Sequence, residues 1–263
     1  MAFALGPQAV AAGYGLAAYE RIDSTNSEAL RRIRAGERGP LWIVTDLQSE
    51  GRGRRGRSWT TQPGNLAASL LLSVDASLPL AATLGFVAAL ALRRALENAT
   101  DGLAFLLKWP NDVLVNGRKL AGILLESEKG ENGQVTLAIG LGVNVLSAPE
   151  DVPFPATSLA ALGQRTSAEH VFAELSDAFA VFLGLWDNGH GLAAIRSQWL
   201  QHAAGLGQDI SIRAGDGILQ GIFKTLDEDG RLILQGADGA RRAVSAGDVY
   251  FGTAATIDSA ERH

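Results

Sequence analysis

The sequence contains no cysteine, which excludes disulfide bonds, thiolate metal ligands and cysteine nucleophiles. Histidine is also scarce, and the four present, His170, His190, His202 and His263, lack the spacing of a metal site. Ser24 has no histidine signature nearby, so helix capping or hydrogen bonding to a ligand explains it better than nucleophilic catalysis. We therefore expect no protein-bound metal and no cysteine or serine nucleophile.

Positive charge is in the minority, with 23 lysines and arginines against 28 aspartates and glutamates. A dedicated duplex-binding protein usually carries a basic face, so this balance favours a small anionic ligand over nucleic acid. The apolar N-terminus lacks a basic start and is broken by glycine and proline, which argues against a secretory signal. The longest apolar run, residues 78–92, is too short to span a bilayer and predicts a buried helix. We expect a cytoplasmic protein without a membrane segment.

Hydrophobic residues make up 47% of the 263-residue chain, enough to build a sizeable core. Capping and periodicity predict helices at residues 26–35, 78–99, from 166 onward and 192–204. Apolar runs predict strands at residues 41–47, 65–74 and 134–145. Asn116-Gly117 is the favoured two-residue turn of a β-hairpin, and Asn132-Gly133 marks a second turn. Antiparallel hairpins beside helices predict an α+β fold with a mixed or antiparallel sheet and flanking helices.

From Gly207 onward the sequence consists of short β-rich runs separated by Gly-Asp, Asp-Gly and Ala-Gly turns. Short strands at such close spacing predict a small β-barrel. The chain is therefore predicted to have two domains, residues 1–205 and residues 206–263, the second ending in a short tail.

The segment QSEGRGRRGRSW, residues 48–59, is called here the arginine loop, because it carries Arg52, Arg54, Arg55 and Arg57 among three glycines. A solvated surface loop and a nucleic-acid contact are two interpretations of such a cluster. A small-anion site is the third, since glycines let backbone N–H groups approach an anion and arginines supply forked donors. Trp59 adds a flat face on which a nucleobase can stack. The residues favour the small anion.

Two lysines flank the predicted hairpin in segments that are otherwise apolar. An isolated lysine in such a place usually reaches solvent or pairs with a carboxylate, here Asp112 or Glu126. Lys108 and Lys119 occur together, however, and Gly122 follows the second of them by three residues. This combination favours an anion site.

Glycines inside predicted strands point to the same region. Gly122, Gly140 and Gly142 cost strand stability, and such glycines often mark the close approach of a ligand or of another backbone. Asn111 and Asp112 follow a proline, where turn formation is a sufficient explanation. Contacts to phosphate, or to a metal carried by phosphate, are the functional alternative for these two residues.

Four motifs occur in one order: Asp23-Ser24-Thr25-Asn26, then GRGRRGRSW, then KWPND with RKLAG, then IGLGVNV. In this order they resemble the biotin protein ligases, and the similarity covers nearly the whole chain, including a C-terminal SH3-like barrel. The resemblance implies a catalytic domain of the class II synthetase or biotin–lipoate ligase type. It also implies that biotin reacts with Mg²⁺-ATP to give biotinyl-5′-AMP. The partner that then receives biotin would be a lysine of the biotin carrier domain of acetyl-CoA carboxylase or a related carboxylase.

The resemblance assigns roles to individual residues. The implied catalytic residues are Lys119, Arg52 and Arg54. The implied contacts to biotin or biotinyl-AMP are these three with Ser24, Thr25, Asn26, Gln48, Gly51, Gly53, Gly122, Leu124, Gly140 and Gly142. The implied nucleotide contacts are Arg55, Arg57, Trp59, Asn111, Asp112 and Asn144. Lys119 is expected at the reacting centre ahead of Lys108.

Other interpretations stay open at this point. Only 22 residues precede Asp23, too few for a helix-turn-helix domain, so a monofunctional ligase without a DNA-binding role is expected. A lipoate–protein ligase is the nearest rival enzyme. A non-catalytic nucleic-acid-binding module using RGRRGR, and a sensor that binds biotin without transferring it, are rivals from other classes. An exposed sheet edge is the place where two copies could pair as a homodimer.

Overall fold

The computed structural model of the protein describes residues 2–129, 134–150, 152, 154–215 and 217–251. The first elements are α1 (Pro7–Ala11), β1 (Gly15–Ala18), α2 (Thr25–Arg34), β2 (Leu41–Thr45), β3 (Leu66–Val74), α3 (Leu78–Ala82) and α4 (Leu84–Ala99). They are followed by β4 (Leu106–Lys108), β5 (Asp112–Val115), β6 (Arg118–Lys129), β7 (Val135–Val143), α5 (Ala168–Trp186) and α6 (Leu192–Gln201). The last elements are β8 (Asp209–Ala214), β9 (Gly217–Leu226), β10 (Leu232–Gln235), β11 (Arg241–Val244) and β12 (Asp248–Phe251).

The first seven strands form one sheet in the order β1-β2-β3-β7-β6-β5-β4. The pair β1–β2 is parallel and the other neighbours are antiparallel. This mixed sheet with helices on its faces confirms the predicted α+β class.

Two hydrophobic clusters lie on opposite faces of this sheet. On one face the rings of Phe172 and Phe179 in α5 meet Trp42 edge to face, with centroids 5.6 and 5.7 Å apart. On the other face α2 buries Leu30 and Ile33 against β2, β3 and β7. Because α2 is only ten residues long, it covers part of this second face. The remainder is available for a pocket.

The helix predicted at residues 78–99 is instead two helices, separated at Thr83. The Thr83 hydroxyl donates to the carbonyl of Leu80 at 2.6 Å, and the N–H of Phe86 donates to the carbonyl of Thr83. At Thr83, hydrogen bonds between residues three apart replace the hydrogen bonds between residues four apart that an α-helix requires. The α-helix is therefore interrupted there.

The whole segment Leu78–Ala99 is long and apolar enough to cross a membrane by length and composition alone. We expected the apolar run at residues 78–92 to be too short to span a bilayer, but the whole segment is long enough. Most of the segment is buried within the protein, and α4 contributes Leu84, Leu92 and Leu96 to the core. This is the environment of a core helix.

Two other predicted elements end earlier than expected. The strand at 41–47 ends at Thr45, because the Thr45 hydroxyl accepts a hydrogen bond from the N–H of Leu47. The helix at 192–204 ends at Gln201, because the following residues pair with β4 through Leu107. The helix start at Ser167, whose side chain accepts from the N–H of His170, is confirmed.

The predicted hairpin turn at Asn116-Gly117 is confirmed. Both residues have positive φ, 50° and 73°, as the favoured two-residue turn between antiparallel strands requires. The second predicted turn, Asn132-Gly133, lies outside the described residues. The N-terminal α1 and β1 were not predicted.

The strands from Asp209 onward form a second, antiparallel sheet in the order β11-β10-β9-β8-β12. It packs beside the first sheet, where the Trp109 indole N–H donates to the carbonyl of Gly230 at 3.3 Å. The ring of Phe86 lies against the same glycine. The domain limits 1–205 and 206–263 remain predictions.

Candidate active site

A pocket of about 370 Å³ lies on the sheet face that α2 leaves uncovered. Its floor is formed by β3, β7 and β6, its polar end by the start of α2, and its rim by the arginine loop. From the second sheet, β12 contributes Asp248, Val249 and Tyr250. The pocket is therefore built from both sheets.

Glycines form much of the floor. Gly142 on β7 pairs with Gly122 on β6, Gly140 pairs with Leu124, and all three glycines line the pocket. A β-carbon at Gly142 would come within 2.3 Å of the Trp59 indole, and one at Gly140 within 2.3 Å of the Asn26 amide oxygen. The sequence predicted the close approach of a ligand or of another backbone at these glycines. The approaching groups are side chains of this protein.

A β-bulge places Lys119 on the pocket face. The pairing of β5 with β6 shifts by one residue after Val113, which leaves Leu120 as an extra residue in β6. Since strand side chains alternate between faces, regular pairing would put Lys119 on the face opposite to Gly122. The bulge reverses this and both residues line the pocket.

Two cations of the pocket each form an ion pair with a carboxylate on β5 or β6. Lys119 Nζ lies 2.7 Å from Asp112, and Arg52 Nη2 lies 2.6 Å from Glu126. Lys119 Nζ also lies 5.4 Å from the centroid of the Trp59 ring. Of the two carboxylates, Asp112 lines the pocket itself.

A third carboxylate, Asp248 of β12, forms ion pairs with the other three arginines of the arginine loop. Its oxygens lie 3.0 Å from both Arg55 and Arg57 and 3.8 Å from Arg54. Burial lowers the pKa of the Arg54 guanidinium, and the charges of Asp248 and Asp112 oppose that effect. Three arginines thus share one carboxylate, so positive charge remains in excess for an anionic ligand.

The polar end of the pocket is a buried hydrogen-bond network. Ser24 caps α2 by accepting from the N–H of Ser27, as helix-capping chemistry predicts. The N–H and the hydroxyl of Thr25 both donate to Gln48 Oε1, at 2.8 and 3.2 Å. The Gln48 amide in turn donates to the hydroxyl of Thr61 at 2.9 Å. Side chains at this end are thus held in fixed orientations before any ligand binds.

Two asparagines tie the walls together. Asn111 accepts from Arg54 Nη1 at 2.9 Å and donates to the carbonyl of Ile123. Asn144 is buried and donates to the carbonyl of Thr157 at 3.1 Å. Both side chains therefore already have partners within the protein, although both line the pocket.

Lys108 lies deeper than Lys119 and is only 7% exposed. Its Nζ sits 3.5 Å from the ring centroid of Phe154 and within 6 Å of the rings of Tyr250 and Phe251. Burial lowers the pKa of its ammonium to about 8, and the charge of Asp112 opposes this shift. The ammonium of Lys108 therefore lies among three aromatic rings.

The structure brings most of the sequence-predicted site residues into this one pocket. Those that line it are Ser24, Thr25, Asn26, Gln48, Arg52, Gly53, Arg54, Arg57, Trp59, Asn111, Asp112, Lys119, Gly122, Leu124, Gly140, Gly142 and Asn144. Gly51 and Arg55 do not. Gly51 packs against the backbone of Trp59, where a β-carbon would lie 2.2 Å from the carbonyl oxygen, and Arg55 faces Asp248.

Several wall residues were not given a role by the resemblance, although Lys108 was a candidate for an anion site. They are Ser58, Thr60, Ala67, Lys108, Trp109, Pro110, Ile123, Leu141, Pro149, Val152, Phe154, Ala156, Asp248, Val249 and Tyr250. Asp248 follows the arginine loop by about 190 residues, and no local motif marks it. The only available signal was the concentration of arginines, which requires counter-charge but does not identify its source.

Comparisons with known proteins agree with this geometry. The Biotin/lipoate A/B protein ligase family model matches residues 18–144, and the Biotin protein ligase C terminal domain model matches residues 205–252. A biotin–[acetyl-CoA-carboxylase] ligase of Paracoccus denitrificans is 42% identical over 88% of this chain and 98% of that protein. The ligase of the same description from Mycobacterium tuberculosis is 32% identical over 93% of each chain.

A solved structure of the biotin protein ligase from Aquifex aeolicus, in complex with biotin and ATP, has a TM-score of 0.75 at 27% identity. The match covers 90% of this chain and 97% of that one. Sequence identity and fold agree over nearly the whole length of these relatives. The chain therefore belongs to the biotin protein ligase family.

Proposed function

We propose that the pocket carries out both half-reactions of the activity that defines this family. The chain is an ATP-dependent enzyme that ligates biotin to a carboxylase. The observation that carries the assignment to this pocket is the convergence of Arg52, Arg54 and Lys119 over a glycine floor with a polar end.

In the first half-reaction, a biotin carboxylate oxygen attacks the α-phosphorus of ATP. The bond from that phosphorus to the bridging oxygen breaks, and pyrophosphate leaves with the electron pair. Two anions must approach each other, so fixed cations are needed to offset their repulsion and to stabilise the transition state. Lys119 is assigned to the reacting centre, and Arg52 and Arg54 to the carboxylate and the α-phosphate.

The floor and the polar end of the pocket are assigned to the bicyclic ring and the ureido group of biotin. Ser24, Thr25 and Gln48 supply donors and acceptors for the ureido group, and the glycines of β6 and β7 leave room for the bicyclic ring. In the structure the Trp59 indole rests on Gly142. A ring that enters this space must either displace the indole or stack against it.

In the second half-reaction, a lysine amine of the carrier domain attacks the carbonyl carbon of biotinyl-5′-AMP, and AMP leaves with the electron pair of the broken C–O bond. The incoming lysine loses its ammonium proton to Asp112 before attack, and the proton released as the amide forms passes to water. Asp112, 2.7 Å from Lys119, is the pocket carboxylate closest to the assigned reacting centre and is assigned to receive the incoming ammonium. Arg57, Trp59, Asn111 and Asn144 are assigned to the nucleotide.

Mg²⁺ is assigned to the ATP phosphates. Within the described residues, no group of three or more histidine, aspartate or glutamate side chains is arranged to hold a metal ion. Mg²⁺ commonly keeps several waters and binds through phosphates with one or two carboxylates, which Asp112 can supply. When bound, the ion would neutralise phosphate charge, and the chain's own contribution is the arginines and Lys119.

The partner is proposed to be the biotin carrier domain of a carboxylase in the cytoplasm. The exposed edge of the first sheet remains the proposed place for a homodimer. Neither nucleic acid nor a membrane is a proposed partner, because the arginines of the pocket face carboxylates and the apolar helix α4 lies in the core.

The matched family also includes lipoate ligases, so substrate choice needs a direct test. Purified protein is given ATP with biotin, lipoate or octanoate, together with a biotin carrier domain, and transfer is followed by mass spectrometry. A carrier whose acceptor lysine is replaced by arginine is the control. Transfer of biotin alone, absent from the control carrier, supports the assignment. Lipoate transfer, or no transfer by a folded protein, contradicts it.

A further inference from the structure

Glu126 on β6 joins two parts of the pocket that are far apart in sequence. It follows Leu124 by two residues and therefore lies on the strand face that carries Gly122. Its Oε1 accepts a hydrogen bond from Arg52 Nη2 at 2.6 Å, and its Oε2 accepts one from Asn26 Nδ2 at 3.0 Å. A single carboxylate thus binds the arginine loop with one oxygen and the start of α2 with the other.

We propose that Glu126 is a positioning residue that sets the orientation of Asn26 and Arg52 and couples the two groups when biotin binds. The inference rests on the proposed function, which assigns Arg52 to the substrate, and on the position of Asn26 in the wall of the same pocket. Glu126 itself does not line the pocket and touches the substrate only through them.

The effect on Asn26 follows from donor and acceptor chemistry. An ionised carboxylate accepts hydrogen bonds and donates none, so the NH₂ group of Asn26 must face Glu126. The amide oxygen is then directed to the hydroxyl of Ser69, 2.6 Å away, and lies over Gly140. Asn26 is only 4% exposed, so an incorrect orientation would leave buried polar atoms unpaired. Glu126 therefore fixes which polar atom Asn26 shows to the pocket.

The effect on Arg52 follows from the planar guanidinium. Arginine has five N–H donors in a rigid fork, and Glu126 engages one terminal nitrogen of Arg52. The remaining donors keep a defined direction because the plane is held at one corner. Arg52 is itself 44% exposed and sits on a glycine-rich loop, so without this contact its side chain has many conformations to lose on binding.

The bridge makes the two ends of the biotin site depend on each other. A ureido N–H that donates to the Asn26 amide oxygen favours the amide orientation that presents NH₂ to Glu126. The carboxylate is then held in the position that orders Arg52 at the opposite end of the ligand. Contacts at the ureido ring of biotin thereby strengthen the contact between Arg52 and the biotin carboxylate.

Glu126→Gln tests the proposal, with Glu128→Gln as a matched control. Glu128 lies two residues further along the same strand face and pairs with Arg34 at 2.5 Å, away from the pocket floor. For Glu126→Gln we expect KM for biotin to rise about tenfold, the loss typical of a hydrogen bond between charged groups. KM for ATP and kcat for pyrophosphate release should change little. Glu128→Gln should match wild type in all three.

A double-mutant cycle tests the coupling. Biotin dissociation constants are measured for Glu126→Gln, Asn26→Ser and Arg52→Gln, singly and in pairs, with melting temperatures recorded for each. The proposal predicts that each pair containing Glu126→Gln costs clearly less than the sum of its single changes. Additive costs, or tighter biotin binding by Glu126→Gln, would overturn the coupling.

Glu126→Asp covers the case in which the glutamine variant does not fold. The shorter side chain keeps the charge but cannot span both partners, so the same rise in KM for biotin is expected. Failure of the proposed function itself would appear differently, as an absence of biotin-dependent pyrophosphate release in the wild-type protein. An active wild type whose Glu126 and Glu128 variants behave alike would overturn only the positioning role.

Discussion

The indole of Trp59 rests directly on Gly142, whose missing side chain makes the contact possible. A β-carbon there would lie 2.3 Å from the indole, closer than any tolerated contact. Gly142→Ala should therefore push Trp59 off the floor and narrow the space for the biotin ring. We expect biotin binding to weaken by about five- to a hundredfold, measured by calorimetry, because overpacking of this kind costs about 1–3 kcal/mol.

Gly184→Ala is the control for that substitution. Gly184 lies in α5, and a β-carbon at its position meets no atom within 4 Å among the described residues. The change should stabilise the helix slightly and leave biotin affinity unaltered. Equal biotin affinity in the two variants would show that the floor does not need a glycine at residue 142.

Lys119 is expected to be the strongest single contributor to the first half-reaction. Lys119→Gln should slow biotin-dependent pyrophosphate release by about 10²–10³, the usual loss when one stabilising group is removed from a transition state. The loss should persist in the double variant that combines Lys119→Gln with Asp112→Asn. The second change removes the carboxylate that had been paired with Lys119. Recovery of activity in the double variant would mean that Lys119 only neutralises Asp112.

Arg54 is predicted to retain the adenylate. It is held in place by Asn111 and faces the pocket, so Arg54→Gly should speed release of biotinyl-5′-AMP by about ten- to a hundredfold, as expected for lost charge-assisted hydrogen bonds. Retention on gel filtration, with labelled biotin, measures this. Arg55→Gly is the control, because Arg55 has a φ of 54° that glycine adopts easily and does not line the pocket. Equal release by the two variants would contradict the role of Arg54.

Lys108 predicts a pH dependence of stability. Its pKa is about 8 in the folded protein against an ordinary value of 10.5. Between these values the unfolded chain binds more protons, so the free energy of unfolding should rise with pH by up to about 1.4 kcal/mol per unit. Lys108→Met should remove that rise. Urea denaturation at pH 7, 8 and 9.5 measures it, and Lys224→Met, at an exposed position of β9, should leave the wild-type slope intact. An unchanged slope in Lys108→Met would contradict the inferred charge state.

Much of the fold was predictable because its signals are local. The capping pattern Thr25-Asn26-Ser27-Glu28 predicts α2 to within one residue, although the observed cap is Ser24. Asn116-Gly117 needs no partner beyond its own strands. The glycine floor was also visible, because three glycines in strand patterns are costly without a reason.

The remaining features depend on contacts between distant residues. The bulge at Leu120 reflects pairing with β5, and no residue type signals it. The place of the Trp59 indole on the floor beside Lys119 is not indicated by any local motif. The pairing of Asp248 with three arginines arises only when the second sheet packs on the first. Thr83 divides α3 from α4 through side-chain bonds that an apolar pattern cannot reveal.

The most direct measurement is single-turnover release of pyrophosphate from ATP by wild-type protein, with and without biotin. Release that requires biotin, with one biotinyl-5′-AMP retained per chain, is the expected result if the pocket activates biotin. Biotin-independent release, or none from a protein whose melting temperature shows it to be folded, would contradict the assignment of this pocket to biotin activation.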